Sequence, residues 1–234
     1  MRRLTGKATG SVVNTHYGSA NWSGYLDQTS TYFDEVVAHW IQNGSDSTGT
    51  NAQSTWVGIG GFNSPDLLQD GTEEIDNSQY AFYEYLGGVT ISAYQDQPVH
   101  PDDLISANTT YHVAYGDATF TVVDDGTYVV DWTEVGMEVD WYGLTAEFID
   151  ERPDWCYPGY CYEPLTDYVK TTWSDARVYT ATQEIPVANA NPAGIVMTED
   201  GASQVPPCSS SSDVLAYPTS LSGYNFLNYW CRAS

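Results

Sequence analysis

Short runs rich in Val, Ile, Thr, Tyr and Trp follow one another along most of the chain, and a helical apolar period is nearly absent. The runs are TYFDEVVAHWI, STWVGIGG, QYAFYEYL, LISANTTYHVAY, ATFTVV, TYVVDWTEV, LTAEFID, YVKTTWSDARVY, AGIVM, VLAYPTSL and NFLNYW. Turn pairs such as Asn43-Gly44, Gly60-Gly61, Gly87-Gly88, Asp125-Gly126 and Asp200-Gly201 separate them. About eleven strands of this kind predict an all-β sandwich of two sheets. The 234 residues show no internal repeat and no linker, and sandwiches of this length commonly form one unit. The stretch 202–213, with two prolines and five serines, reads as a surface loop inside that unit.

Charge narrows the partners. The formal net charge is −24, from 31 Asp and Glu against seven Lys and Arg. Such a surface lacks the electrostatic footprint of a nucleic-acid binder and is repelled by anionic membranes. The scarcity of base matters as much as the abundance of acid. When the carboxylates are neutralised in strong acid, little positive charge remains to swell the fold, so the composition fits a protein that works in acid. A halophilic surface and a plain acidic secreted protein have the same balance. No run is long and apolar enough for a membrane span, and MRRLTGKATGS at the N-terminus lacks the apolar core of a signal peptide.

The four cysteines, Cys156, Cys161, Cys208 and Cys231, lack the paired spacing of a zinc site. Disulfides, and with them a secreted destination, are therefore expected. Three pairings are possible. CYPGYC places Pro158 and Gly159 at the centre of a tight turn, which favours Cys156 with Cys161 and leaves Cys208 with Cys231.

Common hydrolase signatures are missing: there is no GxSxG, HExxH, Walker A loop, Asp-Thr-Gly or Asp-Ser-Gly. The histidines at 16, 39, 100 and 112 are scattered, and nothing joins His and carboxylates at ligand spacing, so neither a metal nor another cofactor is expected. One carboxylate stands out by its setting. In TAEFIDE, alternation puts Thr145, Glu147 and Ile149 on one strand face and Ala146 and Phe148 on the other. Held on such a wall, Glu147 can serve as a base, and a fixed amide such as Gln69 in LLQDG can hold a water and an oxyanion.

The ordered segments NWSGY, STWVGIGG, LLQDG, AFYEY, PDDLISANTTY, TAEFIDE, GIVM and YPTSLSGYNFLNYW resemble the glutamic peptidases, the eqolisin family of pepstatin-insensitive acid endopeptidases. The resemblance spans residues 21 to about 230. It implies a concanavalin-like sandwich of two seven-stranded antiparallel sheets formed by residues 21–234, preceded by an N-terminal extension, residues 1–20. It also implies a catalytic pair at Gln69 and Glu147, with Trp40, Tyr83, Glu84 and Tyr85 about the substrate. Glu84 can alternatively be an outer-face residue or a partner that orients Gln69. The implied substrates are polypeptides, with no nucleic acid or membrane partner, and a monomer is expected. The chain departs from the family pattern at Ile59-Gly60-Gly61, Asp102-Asp103 and Gln42-Asn43.

A polysaccharide-degrading enzyme on the same sandwich is the rival reading. Such enzymes need two carboxyl groups flanking the bond, and Glu138, Asp140 and Glu147 offer them. EVDWY at Glu138 begins like a sandwich-glucanase pattern but lacks its final Glu. A sugar-binding module without catalysis is a third reading, because aromatic sandwich faces also stack sugars.

Overall fold

A computed structural model describes residues 16–29, 31–44, 51–62, 64–75, 78–87, 91–134, 143–153, 162–202, 208 and 213–232, with backbone only at 75 and 91–97. The strands are β1 (His16–Ser19), β2 (Trp22–Gln28), β3 (Glu35–Ile41), β4 (Gln53–Gly60), β5 (Leu67–Ile75), β6 (Ser78–Leu86), β7 (Ile91–Pro98) and β8 (Leu104–His112). They continue as β9 (Asp117–Asp124), β10 (Thr127–Glu134), β11 (Thr145–Glu151), β12 (Lys170–Thr180), β13 (Gln183–Pro186), β14 (Pro192–Thr198), β15 (Val214–Pro218) and β16 (Phe226–Trp230). A single turn of 3-10 helix, Val187–Asn189, interrupts them.

All eleven runs read from the sequence fall on strands. Five further strands, β1, β2, β5, β7 and β13, carry Gly, Asp, Gln or Glu where a strand-forming run would have branched residues. Hydrogen bonds join the strands in one path, β10-β9-β8-β3-β12-β16-β15-β14-β2-β11-β4-β5-β6-β7, with β1 beside β14 and β13 beside β12. Every pairing is antiparallel except that of β1 with β14. Asp125 and Gly126, both at positive φ, make the two-residue turn between β9 and β10 that their sequence announces.

The path folds over on itself, so that β3, β8 and β9 pack against β4, β5 and β6. Between them lies the main core. Val36, Ala38, Trp40, Ile105, Ala107, Phe120 and Val122 meet Val57, Ile59, Leu68, Ala81, Tyr83, Ala146 and Phe148 there. Full burial of each large apolar side chain is worth about 1.5–3 kcal/mol. Cys208 and Cys231 form the expected disulfide. Closing a loop of that length stabilises the fold by ~3.5 kcal/mol in the loop-entropy model. The Cys156–Cys161 pairing lies outside the described residues.

Two carboxyl groups bridge the layers through this apolar space. Asp70 of β5 accepts from Thr109 Oγ1 at 3.0 Å and from the Thr121 amide at 2.7 Å, tying β5 to β8 and β9. Asp150 of β11 accepts from Thr55 Oγ1 at 2.7 Å, Thr171 Oγ1 at 2.9 Å and Asn228 Nδ2 at 2.7 Å, tying β11 and β4 to β12 and β16. Desolvation pushes the Asp70 carboxyl up to about 8, against the pull of those hydrogen bonds, and raises Asp150 by the same cause.

A raised carboxyl binds its proton more tightly in the folded chain than in the unfolded one. Its stabilisation is therefore complete below the unfolded pKa near 4 and is lost as pH climbs toward the folded value. We expect urea unfolding to show stability falling steadily from about pH 4 to about pH 8, with Asp70 contributing on the order of a few kcal/mol. Asp70→Asn should flatten that slope, and an equally steep slope in the variant would exclude Asp70 as a source.

Candidate active site

Strands β2, β11, β4, β5 and β6 lie side by side in that order. Their register sets Leu26 opposite Glu147, Glu147 opposite Gly58, Gly58 opposite Gln69, and Gln69 opposite Glu84. Directly opposed residues project from the same face of a sheet, so these five form one transverse row. The face is the one turned away from the main core. Glu147 and Gln69 are two strands apart, about 10 Å between backbones, and the residue between them has no side chain.

Gly58 adds no side chain to that interval, and Trp56 and Leu67 already close against it. A Cβ there would lie 2.8 Å from the Leu68 carbonyl oxygen, 2.9 Å from Trp56 Cζ3 and 3.0 Å from Leu67 Cδ1. Just beyond it, Gly60 and Gly61 take φ of 87° and 90° in succession, a turn that side-chain-bearing residues rarely make. The departure from the family pattern at this point thus has a conformational basis. A Cβ on Gly61 would also crowd Leu67 and Trp22.

Three buried acids occupy β11, and they differ in what they touch. Asp150 has the hydrogen bonds already described. Glu151 accepts from Asn21 Nδ2 at 2.9 Å and Trp56 Nε1 at 2.7 Å, and burial pushes it up to about 8. Glu147 is fully buried, yet neither of its oxygens has a well-formed hydrogen bond. Desolvation therefore holds its carboxyl well above the ordinary range, with the Thr145 hydroxyl and the Phe62 amide pulling weakly the other way and Asp27 adding to the rise. At pH 3 to 4 such a group keeps its proton, where an unperturbed Glu would be partly ionised.

Gln69 is held from one side. Its Nε2 donates to Glu84 Oε2 at 2.7 Å, while its Oε1 is buried without a partner. A carboxylate only accepts, so Glu84 fixes which end of the amide points along β6. Around the row stand Trp22, Leu26, Trp56, Phe62, Leu67, Phe82, Leu86 and Ile149, a second apolar cluster separate from the main core. The result is a dry surround with three unsatisfied acceptor atoms, two on Glu147 and one on Gln69. An acid and an amide so placed can share a water between them.

The other expected residues lie elsewhere. Trp40, Tyr83 and Tyr85 project from the opposite side of their strands into the main core. Trp40 packs tilted against Trp173 at 5.2 Å, and its Nε1 donates to Gln42 Oε1 at 3.2 Å. Gln42, one of the departures from the family pattern, thereby supports Trp40, and it accepts from Thr72 Oγ1 at 2.8 Å as well. Glu138, Asp140, Cys156 and Cys161 lie outside the described residues. Sequence reasoning missed Gly58, which sits unremarked in STWVGIGG, and Asp27, a second fully buried carboxyl without a partner. Only strand register reveals the first. Among the described residues, Asp103, Asp124 and Asp125 bring oxygens within 4.8 Å of one another, close enough to share an ion. They gather at the β9–β10 turn, off the row.

The sequence profile of the Peptidase A4 family matches residues 20–215. No curated protein sequence matches the chain. Among solved structures, scytalido-glutamic peptidase with a peptide-based transition state analog is similar, with a TM-score of 0.69 at 18% identity over 90% of this chain and 98% of that one. SCP-B, a member of the eqolisin family in complex with the tripeptide Ala-Ile-His, gives 0.65 at 18% identity over the same shares. Aspergilloglutamic peptidase from Aspergillus niger gives 0.56 at 20% identity, over 77% of this chain and 99% of that one. At these identities the structural likeness carries the fold.

An added Cβ at Gly58 must displace the Leu68 carbonyl and the Trp56 ring, so Gly58→Ala should lose stability as well as activity. We expect at least about a hundredfold drop in kcat/KM, since a displacement near 1 Å at a reacting centre costs that much. Circular dichroism identifies conditions in which the variant is still folded, and near-full activity there would remove Gly58 from the site.

Proposed function

The chain belongs to the Peptidase A4 family and is a glutamic peptidase, and we propose that it is an acid-acting endopeptidase using Glu147 and Gln69. The observation that carries the pair is the shared row with its unsatisfied acceptors: two oxygens on Glu147 and Oε1 on Gln69, across Gly58. Glu147, once ionised, takes a proton from a water held between the two side chains. Gln69 Oε1 accepts that water's other hydrogen. As the water attacks the peptide carbonyl, the amide hydrogen of Gln69 not committed to Glu84 donates to the oxyanion. Glu147 then returns its proton to the departing amine, so no metal and no covalent intermediate is required. Glu84 acts through Gln69 as a positioning residue.

The hydrogen-bonded path divides between β15 and β14 into two runs of seven strands. That division supports two seven-stranded sheets within a single domain of residues 21–234, the row lying on one and Asp70 and Asp150 reaching the other. Polypeptides are the substrates and the chain acts as a monomer. The Cys208–Cys231 disulfide supports an extracellular destination, and the charge of −24 opposes nucleic acid and anionic membrane as partners. The Peptidase A4 match favours peptide over glycoside hydrolysis; the rival's candidate partners for Glu147, Glu138 and Asp140, lie outside the described residues.

Casein digestion between pH 3 and pH 6, with pepstatin present, tests the pair. Glu147→Gln should lose about 10²- to 10⁴-fold in kcat. Gln69→Ala should lose about 10²- to 10³-fold. Wild-type-like cleavage by Glu147→Gln, or release of reducing sugar from glucans without proteolysis, would refute the reading.

The raised Glu147 also sets a direction in pH. Because the base must be ionised, kcat/KM should climb as pH rises from about 3, until the loss of fold stability turns it down. Rates measured beside far-ultraviolet circular dichroism separate the two limbs. A flat rate below the onset of unfolding would show that Glu147 is not the base.

A further inference from the structure

Trp132 of β10 is a large aromatic held in place with much of its indole exposed. It is 52% exposed, yet both its position and its orientation are fixed. One face of the indole stacks on Tyr83 at 6.3 Å with the planes 18° apart, and Tyr83 stacks in turn on Phe120 at 5.1 Å. Its Nε1 donates to Glu134 Oε1 at 2.8 Å, and the Tyr83 hydroxyl donates to the same oxygen at 3.3 Å. A carboxylate is thus pinned at the rim of an immobilised indole. Glu134 forms no ion pair among the described residues. On a chain with a charge of −24 this negative charge is left uncompensated.

We propose that Trp132, Tyr83 and Glu134 form a binding site for a cationic side chain, a Lys or Arg of a polypeptide held outside the catalytic row. The open indole face supplies the ring quadrupole, and the rim carboxylate supplies the opposite charge; both favour a cation over a neutral group. Tyr83 has no free face, because it lies between Trp132 and Phe120, and so it backs the site rather than contacting the ligand. The site is physically separate from the row: Tyr83 and Glu84 are neighbours on β6 but project from opposite faces. That the ligand is a polypeptide rests on the peptidase reading, whereas recognition of the cation does not.

Binding is measured in full-length chain carrying Glu147→Gln, so that it does not depend on hydrolysis. The probes are acetylated, amidated Gly-Lys-Gly and its isostere with norleucine in place of lysine, titrated at about pH 5.5, above the ordinary Glu range. Broadening of the peptide's own side-chain proton signals gives the dissociation constants. The lysine peptide should bind saturably and at least about tenfold tighter than the norleucine peptide. Trp132→Ala should abolish that difference, Glu134→Gln should reduce it, and Trp132→Phe, which retains a ring, should keep part of it. The assignment is overturned if lysine and norleucine peptides bind alike, if Trp132→Ala binds as the parent does, or if cellobiose binds and the lysine peptide does not.

Discussion

Burying carboxyl groups in an apolar sandwich is the constraint on which the rest of this structure depends. Asp27, Asp70, Glu147, Asp150 and Glu151 are all essentially without solvent contact, and a charged carboxylate so placed carries a desolvation cost of several kcal/mol. Two remedies are visible. Asp70, Asp150 and Glu151 collect hydrogen-bond donors from neighbouring strands and become the fasteners of the sandwich. Asp27 and Glu147 do not, and there the proton itself removes the charge. The first set ties the strands together, and the second supplies the base of the proposed mechanism, Glu147.

Register converts that arrangement into a site. In LLQDG, Gln69 and Asp70 are adjacent, so they project from opposite faces of β5. Gln69 enters the row while Asp70 anchors the same strand across the core. In TAEFIDE the same alternation divides Glu147 from Asp150. A slip of one residue in either strand would turn the anchor toward the row face and the row residue toward the core. The hydrogen bonds of Asp70 and Asp150 therefore serve as register pins for the two residues that face each other over Gly58.

Much of the architecture was legible because β-branched and aromatic runs mark strands directly, as TTWSDARVY does for β12. The strand that carries Gln69 was not marked that way. LLQDGTEEI has two apolar residues at its start and three acids after them, and it is a strand because hydrogen bonds on both sides and burial of its acids override its weak propensity. Gln69, Glu84 and Glu147 could be named in advance from ordered segments, but their alignment needed three registers that no local pattern contains. Trp40, Tyr83 and Tyr85 show the converse limit. Their aromatic character suits a substrate wall and a core equally; alternation along β6 turns Glu84 to the row and Tyr83 and Tyr85 to the core, and Trp40 of β3 packs in the same core.

On the proposed mechanism, the buried carboxyls also bear on the pH at which the chain can work. Protonation of Asp70 and Glu151 favours the folded state as pH falls, while ionisation of Glu147, needed for a base, is favoured as pH rises. These demands oppose one another, and a working range exists only where the fold is still protonated and the base is beginning to ionise. Water admitted beside Glu147 widens that range, because solvating its two bare oxygens returns part of the desolvation that raises it. Glu151 gains less from such an arrival, since Asn21 and Trp56 already occupy its oxygens. On the proposed mechanism, leaving one acid unpartnered while partnering its neighbours is therefore what lets a single strand hold both the structural protons and the one that moves.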